Sequence, residues 1–437
     1  MTVIIDGKTI ETSGGTILQN ARENGIYIPT LCFLEKINEP AACRMCLVEV
    51  KGMKGLQTAC TTSVRDGMEV VTDTPAIRQA RKTNLEIIFA DHITDCTECA
   101  RGHDCELREL SMEYGADDRA YGEGNREAIV DSSSPFLIRD NSKCILCRRC
   151  VAVCKNVQGI GAIGVNFKGK STRIGFLLPT AESGCIGCGQ CVTVCPTGAL
   201  SEADDTAKAW KAIFAKNTSA VAVVSPYVCA QIGELFGEKA GTDCSGKTAA
   251  MLRKIGFEKV YLCGKDVELC PAWKTYLEKN HPEELDKQCG GATPWERFAE
   301  KYRADREGKL HITAFTPCLA AKGTEGSVDA ALTTRELATM WKRACVSSFT
   351  AMSEWTKLQN ESFDEAPFET EKKTYRYFAE GLAAAEKLLS CGDLAGMTVL
   401  ACPGGCAMGG GSPNVCEKDR FGIDVKKLRT DALIKEE

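Results

Sequence analysis

The sequence has no apolar run of the ~18 residues that a membrane-spanning helix needs, which argues against a transmembrane segment. Its first residues do not show the charged and then apolar pattern of a secretion signal, so we expect a cytoplasmic protein. The sequence also lacks a strong excess of positive or negative charge. The net charge is −5 and no long run of like charges occurs, which gives nucleic-acid binding no electrostatic support.

Convincing nucleotide and flavin motifs are missing as well. Residues 241–248 match the G-x4-G-K-T formula of a P-loop, but the residues before them are typical of a helix end and not of a buried strand. The glycines at 409–411 lack the G-x-G-x-x-G spacing of a dinucleotide site. We therefore expect NAD(P)H chemistry to belong to a separate partner.

Cysteine, in contrast, is abundant, with 26 residues in a chain of 437. Such a content is typical of small secreted disulfide scaffolds, but this chain is long enough for about three domains with cores of their own. In a reducing cytoplasm the cysteines are expected to serve as thiolate ligands for metals.

Eight of these cysteines form two matching C-x2-C-x2-C-x3-C runs within residues 136–205, the spacing of a bacterial two-cluster ferredoxin. In such paired runs the fourth cysteine binds the cluster of the other run, so the predicted ligand sets are crossed. One predicted [4Fe–4S] cluster has the ligands Cys144, Cys147, Cys150 and Cys195, and the second has Cys185, Cys188, Cys191 and Cys154. Zinc ribbons stop at two C-x2-C pairs, which makes zinc the weaker alternative.

Residues 1–77 predict a β-grasp domain of the 2Fe–2S ferredoxin type. Two short strands turn at Asp6-Gly7, and a helix over residues 16–24 ends at Gly25. Four cysteines follow with C-x10-C-x2-C-x13-C spacing, namely Cys32, Cys43, Cys46 and Cys60. Their first gap is longer than in plant-type ferredoxins, and we predict that they hold a [2Fe–2S] cluster, with zinc as the weaker alternative.

Residues 78–125 predict a helix followed by a loop with one histidine and three cysteines. The candidate ligands are His92, Cys96, Cys99 and Cys105. One imidazole with three thiolates can bind zinc or a [4Fe–4S] cluster, and the position between other iron–sulfur modules favours the cluster. We interpret His103 as a solvated loop residue. A polar linker, residues 115–140, follows.

From residue 206 to residue 437 strands and helices alternate, which predicts an α/β domain and makes the whole chain an α+β multidomain protein. Predicted strands cover residues 220–225, 259–262, 311–315 and 397–400. The last two run within a few residues into cysteines. Open α/β sheets place their sites at such strand ends.

The order of these modules resembles the large subunit of the iron-only (FeFe) hydrogenases. The resemblance extends to residues 225–236 and 332–338, to Thr316-Pro-Cys318-Leu-Ala-Ala-Lys322, and to Ala401-Cys402-Pro-Gly-Gly-Cys406 with the glycines after it. In that family the equivalents of Cys318, Cys402 and Cys406 and one further cysteine hold a [4Fe–4S] cluster. One of the last two also bridges to a di-iron centre with carbonyl and cyanide ligands.

The sequence departs from this family at the positions that hold or cover the di-iron centre there. The family's first signature has two cysteines before Pro-Gly-Trp, and we align it with Cys289 in a segment that has one cysteine and altered spacing. The lysine that donates to a cyanide ligand is replaced by Ala321, with Lys322 beside it. Residues 345–396 read as polar helices and lack the glycine-rich cover of the di-iron site. The resemblance therefore implies a shortened hydrogenase-like domain.

For this domain we predict one [4Fe–4S] cluster and no di-iron centre. The predicted ligands are Cys289, Cys318, Cys402 and Cys406, with Gly404-Gly405 allowing a close turn around the cluster. Cys229, Cys263 and Cys270 follow strand ends and are candidates for an additional cluster. Cys345 and Cys391 are interpreted as small buried hydrophobic residues.

The sequence as a whole predicts a multi-cluster electron-transfer subunit of an anaerobic oxidoreductase complex. Two alternatives remain, a divergent hydrogenase and a redox or hydrogen sensor. The expected partners are a flavoprotein subunit that oxidises NAD(P)H or a ferredoxin, in a hetero-oligomer. The 2Fe–2S and His92 modules are the expected docking end, because they resemble modules that face such flavoproteins.

Overall fold

The structure is a computed structural model of the chain. It describes all residues except 103, 123–127, 264–269, 285–292, 305, 324–325, 346–347, 366–376, 381–396, 401, 403–404, 414–426, 428 and 431–437. Within the described part, no helix is both long and apolar enough to cross a membrane.

The N-terminal unit is a mixed five-stranded sheet with one helix packed on it. Its strands are β1 (Thr2–Ile5), β2 (Lys8–Glu11), β3 (Leu47–Val50), β4 (Gln57–Thr58) and β5 (Met68–Val71), in the order β2-β1-β5-β3-β4. The predicted hairpin is the antiparallel β1–β2 pair, while β1 and β5 run parallel. Helix α1 (Ile17–Glu23) begins with a capping box between Thr16 and Gln19. It packs its apolar face on the strands.

Two helices then frame the histidine–cysteine loop. Helix α2 (Pro75–Ala90) begins at a Thr74 cap with proline in its first turn, and helix α3 (Glu106–Tyr114) starts directly after Cys105. The buried Arg81 of α2 donates to the carbonyl oxygens of Leu47 and Thr72 and to the Tyr114 hydroxyl. This guanidinium therefore fixes α2 to the sheet and to α3.

The unit with the paired cysteine runs has a small three-stranded sheet and short helices. Strands β6 (Val130–Asp131), β7 (Leu137–Asp140) and β10 (Leu200–Glu202) form the sheet, and β8 (Gly164–Asn166) and β9 (Arg173–Gly175) form a hairpin between the runs. Helices α4 (Arg149–Ala152) and α5 (Gln190–Thr193) follow left-handed residues at equivalent points of the runs, Arg148 and Gly189. The backbone therefore follows the same course in both cysteine runs.

The C-terminal unit is built on a parallel sheet. Strands β11 (Thr218–Val224), β12 (Lys259–Leu262), β13 (Lys309–Phe315) and β14 (Ala330–Leu332) pair in the order β12-β11-β13-β14, and β15 (Tyr377–Glu380) pairs with β16 (Met397–Leu400). The helices are α6 (Thr206–Ile213), α7 (Pro226–Ile232), α8 (Ser245–Ile255), α9 (Pro271–Asn280), α10 (Pro294–Ala304), α11 (Thr334–Ala344) and α12 (Ser348–Lys357).

Both faces of this sheet are covered, as parallel sheets require. Along β11, Ala222 and Val224 face one core cluster, whereas Val221 and Val223 face another. The carboxyl ends of β12 and β13 run into cysteines within three residues. The strand ends therefore deliver thiols to one edge of the sheet.

Candidate metal centres

The four cysteines of the N-terminal unit lie close together, three of them in the loop before β3 and Cys60 just after β4. The sulfur atoms of Cys46 and Cys60 are 3.3 Å apart, and the thiols of Cys32 and Cys43 are hydrogen-bonded to each other. This bond, and then burial, raises the pKa of Cys43. The loop turns through left-handed residues at Ala41 and Arg44. Four clustered thiols in apolar surroundings are a suitable donor set for a [2Fe–2S] cluster.

The histidine–cysteine loop is compact and lies against the paired cysteine runs. Gly102 has no room for a side chain, because a Cβ there would lie 2.2 Å from the Cys96 carbonyl oxygen. The Cys105 thiol approaches the carbonyl oxygen of Pro196 at 3.7 Å. Cys99 lies near Cys105 and packs against Gly198. His92 stands at the start of the loop beside Phe89, and His103 is outside the described residues.

The paired cysteine runs enclose two separate cavities. The first cavity is lined by Cys144, Cys147, Cys150 and Cys195, together with apolar side chains such as Ile174 and Leu200. The second is lined by Cys154, Cys185, Cys188 and Cys191, together with Ile160 and Phe176. The structure thus brings one cysteine of each run into the cavity of the other run.

The electrostatics of these cavities suit a cationic inorganic group. Burial raises the pKa of Cys150 well above its usual value, and the neighbouring Cys147 raises it further. Cys191 is affected in the same way by burial and by Cys188. Several thiolates in an apolar cavity are unfavourable unless a positive charge compensates them. The iron ions of a [4Fe–4S] cluster supply that charge.

A further group of thiols gathers where the C-terminal unit meets the second cavity. Its members are Cys270, Cys318, Cys402 and Cys406. A hydrogen bond with Cys270 and then burial raise the pKa of Cys318, and Cys402 and Cys406 add to the effect. Burial, followed by repulsion from Cys270, raises the pKa of Cys402 to about 12. Cys263, at the end of β12, lies near Cys406.

Cys270 was missed as a member of this group by the sequence reasoning. It is followed by Pro271, Ala272 and Trp273, an order that resembles the Cys-Pro-Gly-Trp of the family's first signature and that the residues after Cys289 do not show. The search for two adjacent cysteines concealed this match. Cys289 and Gly404 lie outside the described residues, and their predicted roles stay predictions.

The structure places Cys263 and Cys270 near Cys406, whereas Cys229 lies in a different core cluster. Cys229 is a buried residue of α7 and lies in one core with Cys244, near the hydroxyls of Ser245 and Thr248. The additional cluster predicted for Cys229, Cys263 and Cys270 stays a prediction. Cys345 is buried in the same core as Cys229, and Cys391 is outside the described residues.

Lys322, the lysine beside the family's cyanide-binding position, is engaged elsewhere. Its ammonium group is buried and donates to Glu336 at 2.7 Å, to Asp205 at 3.2 Å and to the Ala331 carbonyl at 3.1 Å. Ala321, which occupies the family position itself, is buried in the core and has no side-chain donor.

Hydrogen bonds join the candidate cluster loops to one another. Asn38 donates to the carbonyl oxygens of Cys32, at 2.6 Å, and Cys147, at 3.0 Å. Arg101, only 4% exposed, donates to the carbonyl oxygen of Cys195 at 2.6 Å. These residues couple the 2Fe–2S loop and the histidine–cysteine loop to the first cavity.

The second cavity touches the C-terminal thiol group directly. The Cys402 thiol approaches the Cys188 carbonyl oxygen at 3.8 Å, and Gln190 donates to the carbonyl of Met408 at 3.0 Å. Gly410 has no space for a side chain, because a Cβ would lie 2.3 Å from that same Cys188 oxygen. Arg335 holds this loop by donating to the Gly410 carbonyl and pairing with Glu202.

The modules and their thiol groups define a multi-cluster iron–sulfur protein, and comparison with sequence families matches four regions of the chain. A 2Fe-2S iron-sulfur cluster binding domain matches residues 1–75, and the iron-sulfur binding region of NADH-ubiquinone oxidoreductase-G matches residues 81–120. A 4Fe-4S dicluster domain matches residues 143–199. The C-terminal domain of the iron only hydrogenase large subunit matches residues 267–391.

The chain belongs to the iron-only hydrogenase family. It is 33% identical to the NADP-reducing hydrogenase subunit HndD of Solidesulfovibrio fructosivorans, over 100% of this chain and 92% of the relative. It is 29% identical to iron hydrogenase 1 of Clostridium pasteurianum, over 99% of this chain and 92% of the relative. It is also 36% identical to the NADPH-Fe(3+) oxidoreductase subunit alpha of Geobacter sulfurreducens, over 46% of this chain and 24% of the relative.

Proposed function

We propose that the protein is an electron-transfer subunit of an oxidoreductase complex that has kept the clusters of the iron-only hydrogenases and lost the di-iron centre. The observation that carries the electron-transfer function is the continuity of the cluster loops. Asn38, Arg101 and Cys402 each bond to the carbonyl of a cysteine in a neighbouring candidate site. Clusters held in loops that contact each other in this way would be neighbours, and an electron could pass between them without a mobile carrier.

Five clusters are proposed for this chain, in domains covering residues 1–77, 78–125, 136–205 and 206–437. The [2Fe–2S] cluster is held by Cys32, Cys43, Cys46 and Cys60, and one [4Fe–4S] cluster by His92, Cys96, Cys99 and Cys105. Two more [4Fe–4S] clusters are held by the crossed sets that line the two cavities. The last [4Fe–4S] cluster is held by Cys270, Cys318, Cys402 and Cys406, with Cys270 in the place first given to Cys289.

Two observations support the loss of the di-iron centre. Ala321 offers no side-chain hydrogen-bond donor for a cyanide ligand, and Lys322 is bound to two carboxylates. A buried cyanide without a donor would be an unsatisfied charged ligand. In addition, the match to HndD spans 552 alignment positions, whereas this chain has 437 residues, which leaves 115 positions without a counterpart here. The segment that covers the di-iron site is expected among them.

The proposed donor is a separate flavoprotein subunit that oxidises NAD(P)H, in a hetero-oligomer within a reducing cytoplasm of an anaerobic cell. HndD is named as a subunit of a NADP-reducing hydrogenase, and the Geobacter relative is named as a subunit of an NADPH-Fe(3+) oxidoreductase. The 2Fe–2S and His92 modules form the proposed docking end for this flavoprotein.

A second candidate function is that of a divergent hydrogenase, favoured by the full-length match to HndD. Hydrogen evolution from reduced methyl viologen separates the two functions, using protein matured anaerobically with the hydrogenase maturation enzymes. We expect all clusters to be reduced and no hydrogen to form. Hydrogen evolution that Cys406→Ser abolishes would establish the second function instead.

A further inference from the structure

The segment between the two cysteine runs differs in charge from the rest of the chain. Residues 155–181 contain Lys155, Lys168, Lys170 and Arg173 and no Asp or Glu, in a chain whose net charge is −5. The three lysines are exposed. Lys168 and Lys170 lie in the turn of the β8–β9 hairpin, so their charges project from one short loop. This segment is a local positive patch on an acidic protein.

The same segment exposes large apolar side chains. Phe167 is 72% exposed, Leu177 87% and Leu178 56%, and Val165 on β8 is 41% exposed. A single exposed apolar side chain is ordinary, but four on the hairpin and the residues directly after it are typical of a surface that binds another protein. We call Val165, Phe167, Leu177 and Leu178, with Lys155, Lys168 and Lys170, the hairpin face.

This hairpin face lies beside the second cavity. Phe176, which precedes Leu177, lines that cavity with Cys154 and Cys185. A further cation stands at the same site, because Lys279 donates to the Cys185 carbonyl at 2.7 Å and to the Ser183 carbonyl at 2.8 Å. A protein seated on the hairpin face would therefore be separated from this cluster by only a thin layer of side chains.

We propose that the hairpin face docks a small acidic electron-carrier protein of the ferredoxin class. This inference rests on the proposed electron-transfer function. It adds a second docking site for an electron-transfer partner, separate from the one proposed on the 2Fe–2S and His92 modules. An apolar centre with basic neighbours matches an acidic carrier, since complementary charge speeds encounter and a small apolar contact allows rapid release. One electron passes between the carrier's cluster and the cluster held by Cys154, Cys185, Cys188 and Cys191. One of the two is oxidised and the other reduced, and no bond or proton changes place.

The test is stopped-flow reduction of the full-length, cluster-loaded protein by a pre-reduced bacterial two-cluster ferredoxin. Lys168→Glu with Lys170→Glu should lower the bimolecular rate constant roughly tenfold or more at low ionic strength and weaken its salt dependence. Phe167→Ser with Leu177→Ser keeps the charge and should slow the reaction through weaker docking. As a matched control, Lys211→Glu with Lys216→Glu makes the same charge change at exposed lysines outside the face and should leave the rate constant unchanged.

Dithionite, which needs no docking surface, should reduce the clusters of all variants at one rate. If both hairpin-face variants react with ferredoxin at the wild-type rate and salt dependence, the proposal is wrong. It is also wrong if the face instead mediates self-association in sedimentation, or binds vesicles of anionic phospholipid and not ferredoxin. Failure of dithionite to reduce the wild-type clusters would contradict the electron-transfer function itself.

Discussion

The thiol of Cys402 lies 3.8 Å from the carbonyl oxygen of Cys188, although 214 residues separate the two in sequence. Each belongs to a different candidate cluster site and lies near other thiols, Cys402 buried and Cys188 half-buried. The contact therefore places the C-terminal site next to the second cavity of the paired cysteine runs. In the proposed function it is the step by which electrons enter or leave the hydrogenase-like unit.

The crossed ligand sets can be tested with Cys154→Ala. Cys154 lines the second cavity together with Cys185, Cys188 and Cys191, so this change removes one of the four candidate ligands there. We expect the electron paramagnetic resonance signal of that cluster to be lost or converted to a three-iron form, while the cluster of Cys144 keeps its signal. Loss of the Cys144 signal would contradict the crossing. Cys345→Ala, a change at a buried thiol in a hydrophobic core, is the control and should leave the iron content unchanged.

The fourth ligand of the C-terminal cluster is tested by comparing Cys270→Ser with Cys289→Ser. The Cys270 thiol is hydrogen-bonded to Cys318, so its replacement should weaken or remove the C-terminal cluster, about four irons per chain. Cys289→Ser should retain the iron of the parent. The reverse result would restore Cys289 as the ligand. Cys402→Ser with Cys406→Ser should remove the same iron and spare the N-terminal clusters.

The spacing of the cysteines in the sequence predicted local ligand sets, but it did not predict contacts between distant parts of the chain. The paired runs and the strand of residues 220–225 were evident because their patterns are local. The partnership of Cys270 with Cys318 was missed because the expected signature carried a second cysteine, which is Leu269 here. The contact of Asn38 with Cys147, 109 residues apart, has no sequence signal, since a bridging amide looks like any loop asparagine.

Arg101 is expected to raise the reduction potentials of the clusters on either side of it. Its guanidinium is buried, donates to Cys195 and pairs with Asp104. A fixed positive charge stabilises the more negative, reduced cluster. Arg101→Gln should lower the potential of the first-cavity cluster by on the order of 50 to 100 mV, the size of a unit-charge interaction at moderate dielectric. Redox titration measures this shift, and Arg101→Lys should restore most of it. An unchanged potential in Arg101→Gln would show that the residue only supports the loop.

The buried network of Lys322 is expected to stabilise the C-terminal unit. Lys322→Met leaves the buried Glu336 without its cation, while Asp205 keeps Lys208, and should lower the free energy of unfolding by about 3–5 kcal/mol. Lys254→Met breaks an exposed pair with Glu354 and should cost about 0–1 kcal/mol. Denaturant midpoints followed by tryptophan fluorescence compare the two variants. Equal effects would contradict the role of this network.

The loss of the di-iron centre is tested most directly by infrared spectroscopy of protein matured anaerobically with the hydrogenase maturation enzymes. Iron-bound carbonyl and cyanide absorb where protein does not. We predict no such bands, in a sample that contains about 18 irons per chain for one [2Fe–2S] and four [4Fe–4S] clusters. Carbonyl and cyanide bands that disappear with Cys406→Ser would contradict the account and identify the protein as an active hydrogenase.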